Sequence, residues 1–367
     1  MTFVTSPYLP SIDKYIKYVE SIYSRKLLTN NGPLVKELTK RLEEYLGVKN
    51  LLLTSSGTMA LQIAFGVKKL QSKNVITTPF TFQATYSALA WQGTQVEFCD
   101  INTKTWNLDI NILKSLLKQG KKIDCIVPVH TFGNPCDIEQ LNNLKAQYDF
   151  EIIYDSAHAL TTKNSKLESI LNYGDINCFS LHATKLFHTI EGGGITFKDR
   201  HDFERATKMI NFGLDGDDVS ELGINGKLSE FHAAMGLAVL DDLSMIIEQR
   251  QARVKLYKAL LGGNVQYQHQ SNDFAVAPAY MPIVLESPNS VISIEKKLQE
   301  KNIFPRRYFY PCVHQTSWYK NNFPAVSLPN SEYISARVLC LPLSPVLDKN
   351  IIQIICNIIL TELKKNS

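Results

Sequence analysis

A lysine stands in an unusual setting in the run FSLHATKLFHTIEGGGITF, residues 179–197. An apolar stretch leads into Lys185, and the glycines at 192–194 open a second apolar stretch. Lysine is most often a solvated surface charge. A lysine that is partly desolvated shifts toward its neutral amine, which can form a Schiff base with an aldehyde. Lys185 is therefore a candidate for covalent attachment of a carbonyl compound.

A carboxylate and a histidine follow another apolar run, IIYDSAHAL, residues 152–160. Asp155 ends the expected strand, and His158 comes three residues later. A carboxylate buried there is costly unless a cation accompanies it. A protonated ring nitrogen is one such cation, as in pyridoxal phosphate enzymes, where an acidic residue keeps the pyridine protonated. Capping of a following helix by Asp155 explains this segment equally well.

Hydroxyl groups and a glycine separate a strand from a helix in TSSGTMAL, residues 54–61. Backbone N–H groups at a helix N-terminus bind phosphate, and Ser56, Gly57 and Thr58 lie at that point. Plain N-capping favours the same residue types. Ser180, between Asp155 and the lysine, is a further candidate phosphate ligand. Together these segments predict that the lysine of residues 179–197 holds an aldehyde cofactor.

The elements that must position these residues alternate along the chain between short apolar runs and helical patterns. Seven runs are expected to form strands: 50–56, 74–79, 94–100, 122–130, 150–155, 176–181 and 193–197. Most are separated by helices, which predicts an α/β domain with a mostly parallel seven-stranded sheet and helices on both faces. Ligands of such sheets lie at the carboxyl ends of the strands. The polar residues named above fall at those ends.

The pattern of predicted elements changes after a long helical tract at 228–261. The runs APAYMPIVL, SVISIEKKLQEKNI and RVLCLPLSP indicate a small α+β domain. We place the boundary near residue 245, which gives a large domain of residues 1–245 and a small C-terminal domain of residues 246–367. A chain of 367 residues is long enough for two domains.

Composition limits the classes of partner. The formal net charge of +4 is spread along the chain without a basic tract, so no nucleic acid is expected. No apolar run reaches the roughly 18 residues of a membrane span, and no signal peptide is evident. The seven scattered cysteines fit reduced thiols in a cytoplasm. The histidines match no compact zinc signature, so no metal is expected, and the glycines at 192–194 open a strand rather than a dinucleotide-binding helix.

Several motifs in order resemble the DegT/DnrJ/EryC1/StrS family of sugar aminotransferases. They are NNGPLVKELTKRLEEYLGV, TSSGTMAL, TPFTFQATYSAL, VHTFGNPCD, DSAHAL, FSLHATKLFHTIEGGG, GINGKLSEFHAAMG and LPLSP. The resemblance covers nearly the whole chain. It implies a fold type I enzyme that uses pyridoxal 5'-phosphate and acts on nucleotide-linked ketosugars. The form HATKLFHTIEGG is most similar to the branch that makes dTDP-4-amino-4,6-dideoxyglucose.

The resemblance also implies roles for individual residues. Lys185 would bind the cofactor covalently and Asp155 would pair with its pyridine nitrogen, which makes these two the catalytic residues. His158 would lie near the ring oxygen, where the family often has glutamine, and Phe82 would stack on the ring. The phosphate would be held by Ser56, Gly57, Thr58 and Ser180, and by Asn225 from the other subunit of a homodimer with shared active sites.

Residues near the sugar nucleotide are implied by a looser pattern. Tyr308 and His314, in RRYFYPCVH, occupy a region that the family uses for this substrate. Lys227 stands where the family usually has arginine, and a lysine offers a point charge instead of a planar fork. All three are candidate substrate-binding residues.

The implied reaction moves an amino group from L-glutamate to C4 of dTDP-4-keto-6-deoxy-D-glucose. The products are 2-oxoglutarate and dTDP-4-amino-4,6-dideoxy-D-glucose, a precursor for O-antigen or other surface polysaccharide. Amination at C3, or of a GDP- or UDP-linked ketosugar, remains an alternative at this stage. A non-catalytic sugar-nucleotide binding protein is a further alternative, which predicts loss of Lys185 or Asp155, although both are present.

Overall fold

The seven apolar runs pair into one seven-stranded sheet in the computed structural model, which describes residues 1–366. Other strands of the described chain form small two-stranded sheets. In chain order, all of these strands are β1 (Thr2–Phe3), β2 (Leu51–Thr54), β3 (Asn74–Thr77), β4 (Gln95–Phe98), β5 (Cys125–Val127), β6 (Glu151–Asp155), β7 (Lys163–Asn164), β8 (Ile176–Ser180), β9 (Gly193–Phe197), β10 (Leu214–Asp215), β11 (Asp218–Val219), β12 (Phe274–Ala275), β13 (Met281–Val284), β14 (Ile303–Phe304) and β15 (Val338–Leu341).

Helices connect most of these strands. They are α1 (Ile12–Arg25), α2 (Pro33–Leu46), α3 (Gly57–Val67), α4 (Gln83–Ala90), α5 (Ile110–Lys118), α6 (Ile138–Tyr148), α7 (Arg200–Met209), α8 (Glu230–Leu240), α9 (Leu243–Leu261), α10 (Pro288–Gln299), α11 (Ser317–Asn322), α12 (Pro329–Arg337) and α13 (Lys349–Asn366).

The strand order of the large sheet is β2-β9-β8-β6-β5-β3-β4. The strands β4, β3, β5, β6 and β8 pair in parallel, and β9 lies antiparallel to both of its neighbours. The prediction of a mostly parallel seven-stranded sheet is therefore confirmed. Because β2 and the parallel strands run in one direction, their carboxyl ends meet at one edge, where the sequence places its polar residues.

Helices cover both faces of this sheet, as predicted. Neighbouring residues of β6 point to opposite faces, as the pleat of a strand requires. Ile153 packs in the core that contains residues of α3 and α7. Ile152 and Tyr154 pack in the core that contains residues of α5 and α6. Burial on both faces explains why the strand sequences are almost continuously apolar rather than alternating.

A buried carboxylate fixes the N-terminus of α2. The Glu230 side chain is fully buried and accepts hydrogen bonds from the N–H groups of Leu34 and Val35, both at 2.9 Å. The first N–H groups of a helix have no partner within the helix, so a carboxylate there satisfies them and complements the helix dipole. Gly32 is required beside it, because a Cβ at that position would lie 2.6 Å from Cδ of Glu230.

A second core forms in the C-terminal part of the chain. It contains Tyr257, Ile283, Leu341 and Ile355, which belong to α9, β13, β15 and α13. The strands β13 and β15 pair antiparallel, and β1 at the N-terminus pairs in parallel with β14. Helix α9 runs through the expected boundary near 245, and the division into 1–245 and 246–367 stays a prediction. Within residues 1–366, no helix is both long enough and apolar enough to span a bilayer.

Candidate functional site

Lys185 lies in the loop between β8 and β9, at the carboxyl edge of the sheet. Its Nζ is 3.4 Å from the hydroxyl oxygen of Tyr280 and 5.8 Å from the centre of that ring. Burial lowers the pKa of the Lys185 amine to about 8, although the negative charge of Asp155 raises it; the positive charge of Arg306 lowers it further. A substantial neutral fraction near pH 8 makes this amine a nucleophile and a proton acceptor.

Asp155 ends β6 and is 5% exposed. Its Oδ2 accepts a hydrogen bond from the Thr85 hydroxyl at 2.7 Å, and its Oδ1 accepts one from the N–H of Ala157 at 3.0 Å. Burial raises the pKa of this carboxyl group, while the two hydrogen bonds and the charge of Lys185 lower it. Among the described residues, Asp155 forms no ion pair within 4.0 Å.

The alternative role of Asp155 as a helix cap is wrong. Residues 156–164 form turns and the short strand β7, and the next α-helix along the described chain is α7. The carboxylate is therefore buried without a helix to cap and without a cationic side chain beside it in an ion pair. A buried carboxylate in this state suits a cationic ligand atom, such as a protonated ring nitrogen.

The ring of His158 forms part of the wall of the same site and packs against two aromatic rings. Its ring lies nearly parallel to Phe132, with centroids 6.0 Å apart at 12°, and to Phe309, at 5.9 Å and 6°. The N–H of Phe132 donates to Nδ1 at 3.2 Å, which assigns the proton of the neutral ring to Nε2. Burial lowers the pKa of His158 well below its usual value, and the charge of Lys185 lowers it further. His158 is thus a neutral donor through Nε2.

The start of α3 forms a compact cradle of N–H groups. The Ser56 hydroxyl accepts a hydrogen bond from the N–H of Met59 at 3.0 Å and so caps the helix. Among the described residues, the N–H groups of Gly57 and Thr58 have no acceptor. A Cβ on Gly57 would lie 2.9 Å from Cβ of Ser180. Free N–H groups, a serine hydroxyl and a close backbone approach suit a phosphate group.

These residues surround one cavity of about 250 Å³, here called the inner cavity. Of the predicted site residues, those that line it are Ser56, Gly57, Thr58, Phe82, Asp155, His158, Ser180, Lys185 and Tyr308. Phe82 is the N-cap residue of α4 and is 53% exposed, so its ring is available for contact with a ligand. The structure thus gathers residues that lie far apart in the sequence.

A larger depression of about 1170 Å³, here called the outer cleft, shares part of its wall with the inner cavity. Thr81, Phe82, Arg306, Tyr308 and Phe309 line both. Five aromatic side chains line the outer cleft alone: Tyr86, Trp91, Tyr310, Trp318 and Phe323. Tyr86 is buried, whereas the other four rings are at least 43% exposed and present faces that suit a planar ring. Arg306 and Arg307 also line the cleft and suit anionic oxygens.

Three predicted residues lie outside both depressions. His314 is buried, and its Nε2 lies 3.0 Å from Oε1 of Glu332. Lys227 donates to Oδ1 of Asn211 at 2.7 Å. Asn225 is exposed on the surface. The substrate and partner roles of these residues stay predictions.

Other site residues were missed from the sequence. Thr85 holds the aspartate, Tyr280 contacts the lysine, and Phe132 and Phe309 flank His158. Arg306 lies at the shared wall. The run RRYFYPCVH gave a signal for Arg306 and Phe309, since Tyr308 in the same run was predicted to bind substrate.

Two other histidines each contact a backbone group through one ring nitrogen. Nδ1 of His130 accepts the N–H of Cys136 at 3.0 Å, and Nε2 of His188 lies 2.7 Å from the carbonyl oxygen of Tyr8. The candidate metal-binding group that the described residues contain is Asp199, His201 and Asp202 at the start of α7, on the surface. Exposed acidic groups of this kind are common without a metal, so no metal role is assigned to it.

Comparison with known proteins decides the family. The profile of the DegT/DnrJ/EryC1/StrS aminotransferase family matches residues 11–360. The chain belongs to this family. It is 35% identical to a dTDP-4-amino-4,6-dideoxy-D-glucose transaminase of Shigella dysenteriae over 97% of this chain and 98% of that protein. It is 31% identical to a transaminase of the same name from Escherichia coli, over 97% of each chain.

A solved structure shows the same fold at similar length. The structure of DesI, determined in the presence of its TDP-sugar product, superposes with a TM-score of 0.91 at 27% identity. It covers 99% of this chain and 93% of the DesI chain. The predicted aminotransferase fold, the transaminase class and pyridoxal phosphate as the cofactor are confirmed by the family. The inner cavity fits this cofactor, since it offers an amine, a phosphate cradle and a carboxylate that has no ion pair in the described part of the chain.

Proposed function

We propose that this protein transfers an amino group from L-glutamate to C4 of dTDP-4-keto-6-deoxy-D-glucose, giving dTDP-4-amino-4,6-dideoxy-D-glucose and 2-oxoglutarate for surface polysaccharide. The observation that carries the proposal is the meeting of Lys185, Asp155 and the N-terminus of α3 in a cavity that opens to the outer cleft. The two transaminases named above are similar over nearly the whole chain, which supports this sugar.

Pyridoxal phosphate, when bound, supplies an aldehyde carbon and an electron-withdrawing ring that acidifies the C–H bond beside the reacting nitrogen. The N–H groups of Gly57 and Thr58 and the Ser180 hydroxyl would hold its phosphate. Asp155 would keep the proton on the pyridine nitrogen, and His158 would offer Nε2–H to the ring oxygen. Phe82 would pack against the ring face.

Lys185 would attach the cofactor and would then serve as the base. Burial lowers the pKa of its amine to about 8, so that the neutral fraction of Nζ would accept the proton from the substrate carbon and hold it for return. Tyr280, whose hydroxyl oxygen lies 3.4 Å from Nζ, would position this amine. The same groups serve the keto sugar in reverse order, so a single base supports both halves of the transfer.

The outer cleft accommodates the nucleoside diphosphate. Trp91, which follows α4, and the exposed rings of Tyr310 and Trp318 supply stacking faces for a base. Arg307 supplies a cation for phosphate oxygens. Tyr308 lies at the junction of the two depressions, where the sugar enters. This arrangement directs the keto carbon toward Lys185 while the nucleotide stays outside the inner cavity.

We infer that two copies form a homodimer in the cytoplasm. Several apolar side chains are exposed together around the β10–β11 hairpin, namely Phe212, Leu214, Val219, Leu222 and Ile224, and Leu222 is 90% exposed. Contiguous exposed apolar residues are typical of an interface. Asn225 follows them directly, and the family resemblance assigns this side chain to the cofactor phosphate of the partner subunit.

Absorbance and product analysis test the function. The purified holoenzyme is expected to show a visible band that L-glutamate bleaches and dTDP-4-keto-6-deoxy-D-glucose restores, and Lys185→Ala is expected to lack it. NMR of the product should place the amine at C4. An amine at C3, or restoration only by a GDP- or UDP-linked ketosugar, contradicts the substrate assignment and leaves the transaminase chemistry standing.

A mixed dimer tests the shared site. Lys185→Ala and Asn225→Ala chains are each expected to be weakly active. When the two are mixed and exchanged, each hybrid dimer contains one intact site, which should restore up to about a quarter of the wild-type activity. A mixture no more active than its components contradicts a contribution of Asn225 across the interface.

A further inference from the structure

Arg306 occupies the boundary between the inner cavity and the outer cleft and lines both. Two backbone hydrogen bonds with Cys340 fix its position. The N–H of Arg306 donates to the carbonyl oxygen of Cys340 at 3.1 Å, and the N–H of Cys340 donates to the carbonyl oxygen of Arg306 at 2.8 Å. Its guanidinium carbon lies 4.5 Å from the centre of the Tyr308 ring. A side chain stacked in this way is held in place before a ligand arrives.

The charges around the inner cavity leave Arg306 without an opposing carboxylate. The other charged side chains that line the cavity are Asp155, Lys185 and Glu191. Oε1 of Glu191 lies 3.4 Å from Nε2 of His182, and Oδ1 of Asp155 accepts the N–H of Ala157. Among the described residues, Arg306 forms no ion pair. It is also a permanent cation, whereas Lys185 must be neutral to act as a base.

The charge of Arg306 acts at the reacting amine, because it is one of the causes that lower the pKa of Lys185. An amino acid that reacts there carries its α-carboxylate on the carbon bonded to the reacting nitrogen. The fork of a guanidinium matches the two oxygens of a carboxylate. Arg307, by contrast, lines the outer cleft alone and stacks on Tyr310 at 3.4 Å, so the nucleotide has a cation of its own.

We propose that Arg306 binds a carboxylate of the amino donor and so makes the inner cavity selective for an amino acid in the first half of the transfer. This inference rests on the proposed function for its donor. Arg306 is a specificity residue and forms no bond to the atoms that react. It must release the 2-oxoglutarate product before the sugar enters, which agrees with its exposed position at the mouth of the cavity.

The experiment measures binding of glutarate to the holoenzyme by calorimetry. Glutarate carries the two carboxylates of the donor and no amine, so it binds without reacting. Arg306→Gln is expected to weaken its binding at least tenfold, which corresponds to about 1.4 kcal/mol. Arg306→Lys keeps the charge but loses the fork, and a weakening of about threefold or more is expected. The apparent dissociation constant of L-glutamate, from bleaching of the visible band, should change in parallel.

Arg337→Gln is the matched control. Its guanidinium also stacks on a tyrosine, 3.9 Å from the Tyr333 ring, but it lines neither depression. Glutarate binding of this variant is expected to stay within twofold of the wild type. The visible band and the thermal unfolding of each variant show whether the site is intact. If Arg306→Gln does not fold, Arg306→Lys decides.

Several results overturn the proposal. The first is that Arg306→Gln binds glutarate as strongly as the wild type does. If only Arg306→Lys folds, the same result with that variant overturns the proposal. Absence of dicarboxylate binding by the wild type is another. A third is unchanged glutarate binding with weakened binding of the nucleotide sugar, which would make Arg306 a diphosphate ligand. In that case the proposed function still stands. The proposed function fails separately if the wild type neither bleaches with L-glutamate nor aminates the sugar.

Discussion

The pH at which Lys185 becomes reactive offers a direct test of the site. Burial lowers the pKa of this amine to about 8, while Asp155 raises it and Arg306 lowers it. Attachment of pyridoxal phosphate requires the neutral amine, so the rate of attachment to the apoenzyme should rise with pH through an inflection near 8. Asp155→Asn should move the inflection to lower pH, and Arg306→Gln should move it to higher pH.

The magnitude follows from the neutral fraction of the amine. With a pKa of about 8, roughly one tenth is neutral at pH 7, half at pH 8 and nine tenths at pH 9. An unperturbed lysine with a pKa of about 10.4 is only about 0.4% neutral at pH 8. Lys185 should therefore attach the aldehyde on the order of 100-fold faster at pH 8 than a solvated lysine in the same position.

The assay removes the cofactor by dialysis against an amino donor and follows the return of the visible band after mixing with pyridoxal phosphate, from pH 6 to about 10.5. The phosphate cradle is common to all variants, and the pH of the inflection reports the pKa of the amine even where Asp155→Asn also weakens cofactor binding. A wild-type inflection at pH 10 or above would refute the desolvated lysine. A shift of both variants in the same direction would refute the opposing charge effects of Asp155 and Arg306.

Three further predictions concern Tyr280 and Gly193 near the site and Glu230 at the start of α2. Tyr280→Phe removes the hydroxyl 3.4 Å from Nζ of Lys185. Because the base is then less well placed, kcat should fall about tenfold or more with little change in KM. An unchanged kcat in steady-state kinetics contradicts a positioning role. Gly193→Ala adds a Cβ that would lie 2.5 Å from the carbonyl carbon and oxygen of Ser56. Less cofactor should therefore stay bound during gel filtration. Full retention would show that the cradle does not need this close approach. Glu230→Ala leaves two helix N–H groups without their acceptor and should lower the free energy of unfolding by about 3 kcal/mol in urea titrations; a loss below about 1 kcal/mol would mean that water replaces the carboxylate.

Much of the site was accessible from sequence because its residues are tied to strand ends. A buried strand is readable as an apolar run, and a polar residue at its end then has a known place in a parallel sheet. Asp155, Ser180 and the segment from Ser56 to Thr58 were located in this way. The lysine lies in a loop, and its place followed from the strands on either side.

Contacts between distant parts of the chain could not be read in the same way. Tyr280 is 95 residues from Lys185 in sequence, and Thr85 is 70 residues from Asp155. Neither residue has a local pattern that distinguishes it from an ordinary core tyrosine or a helix threonine. His314 shows the reverse case, since a histidine in a suggestive run has its Nε2 beside Glu332 and lines neither depression.

The sequence by itself determined the order of the elements, the family and the chemical types that meet at the sheet edge. These depend on local periodicity and on the direction of parallel strands, which act over a few residues at a time. Only the tertiary structure decided that Asp155 has no ion pair within residues 1–366, that the amine of Lys185 has a lowered pKa, and that Arg306 lines both depressions. Desolvation and charge interaction depend on the packing of segments remote in sequence, and that packing exists only once the chain has folded.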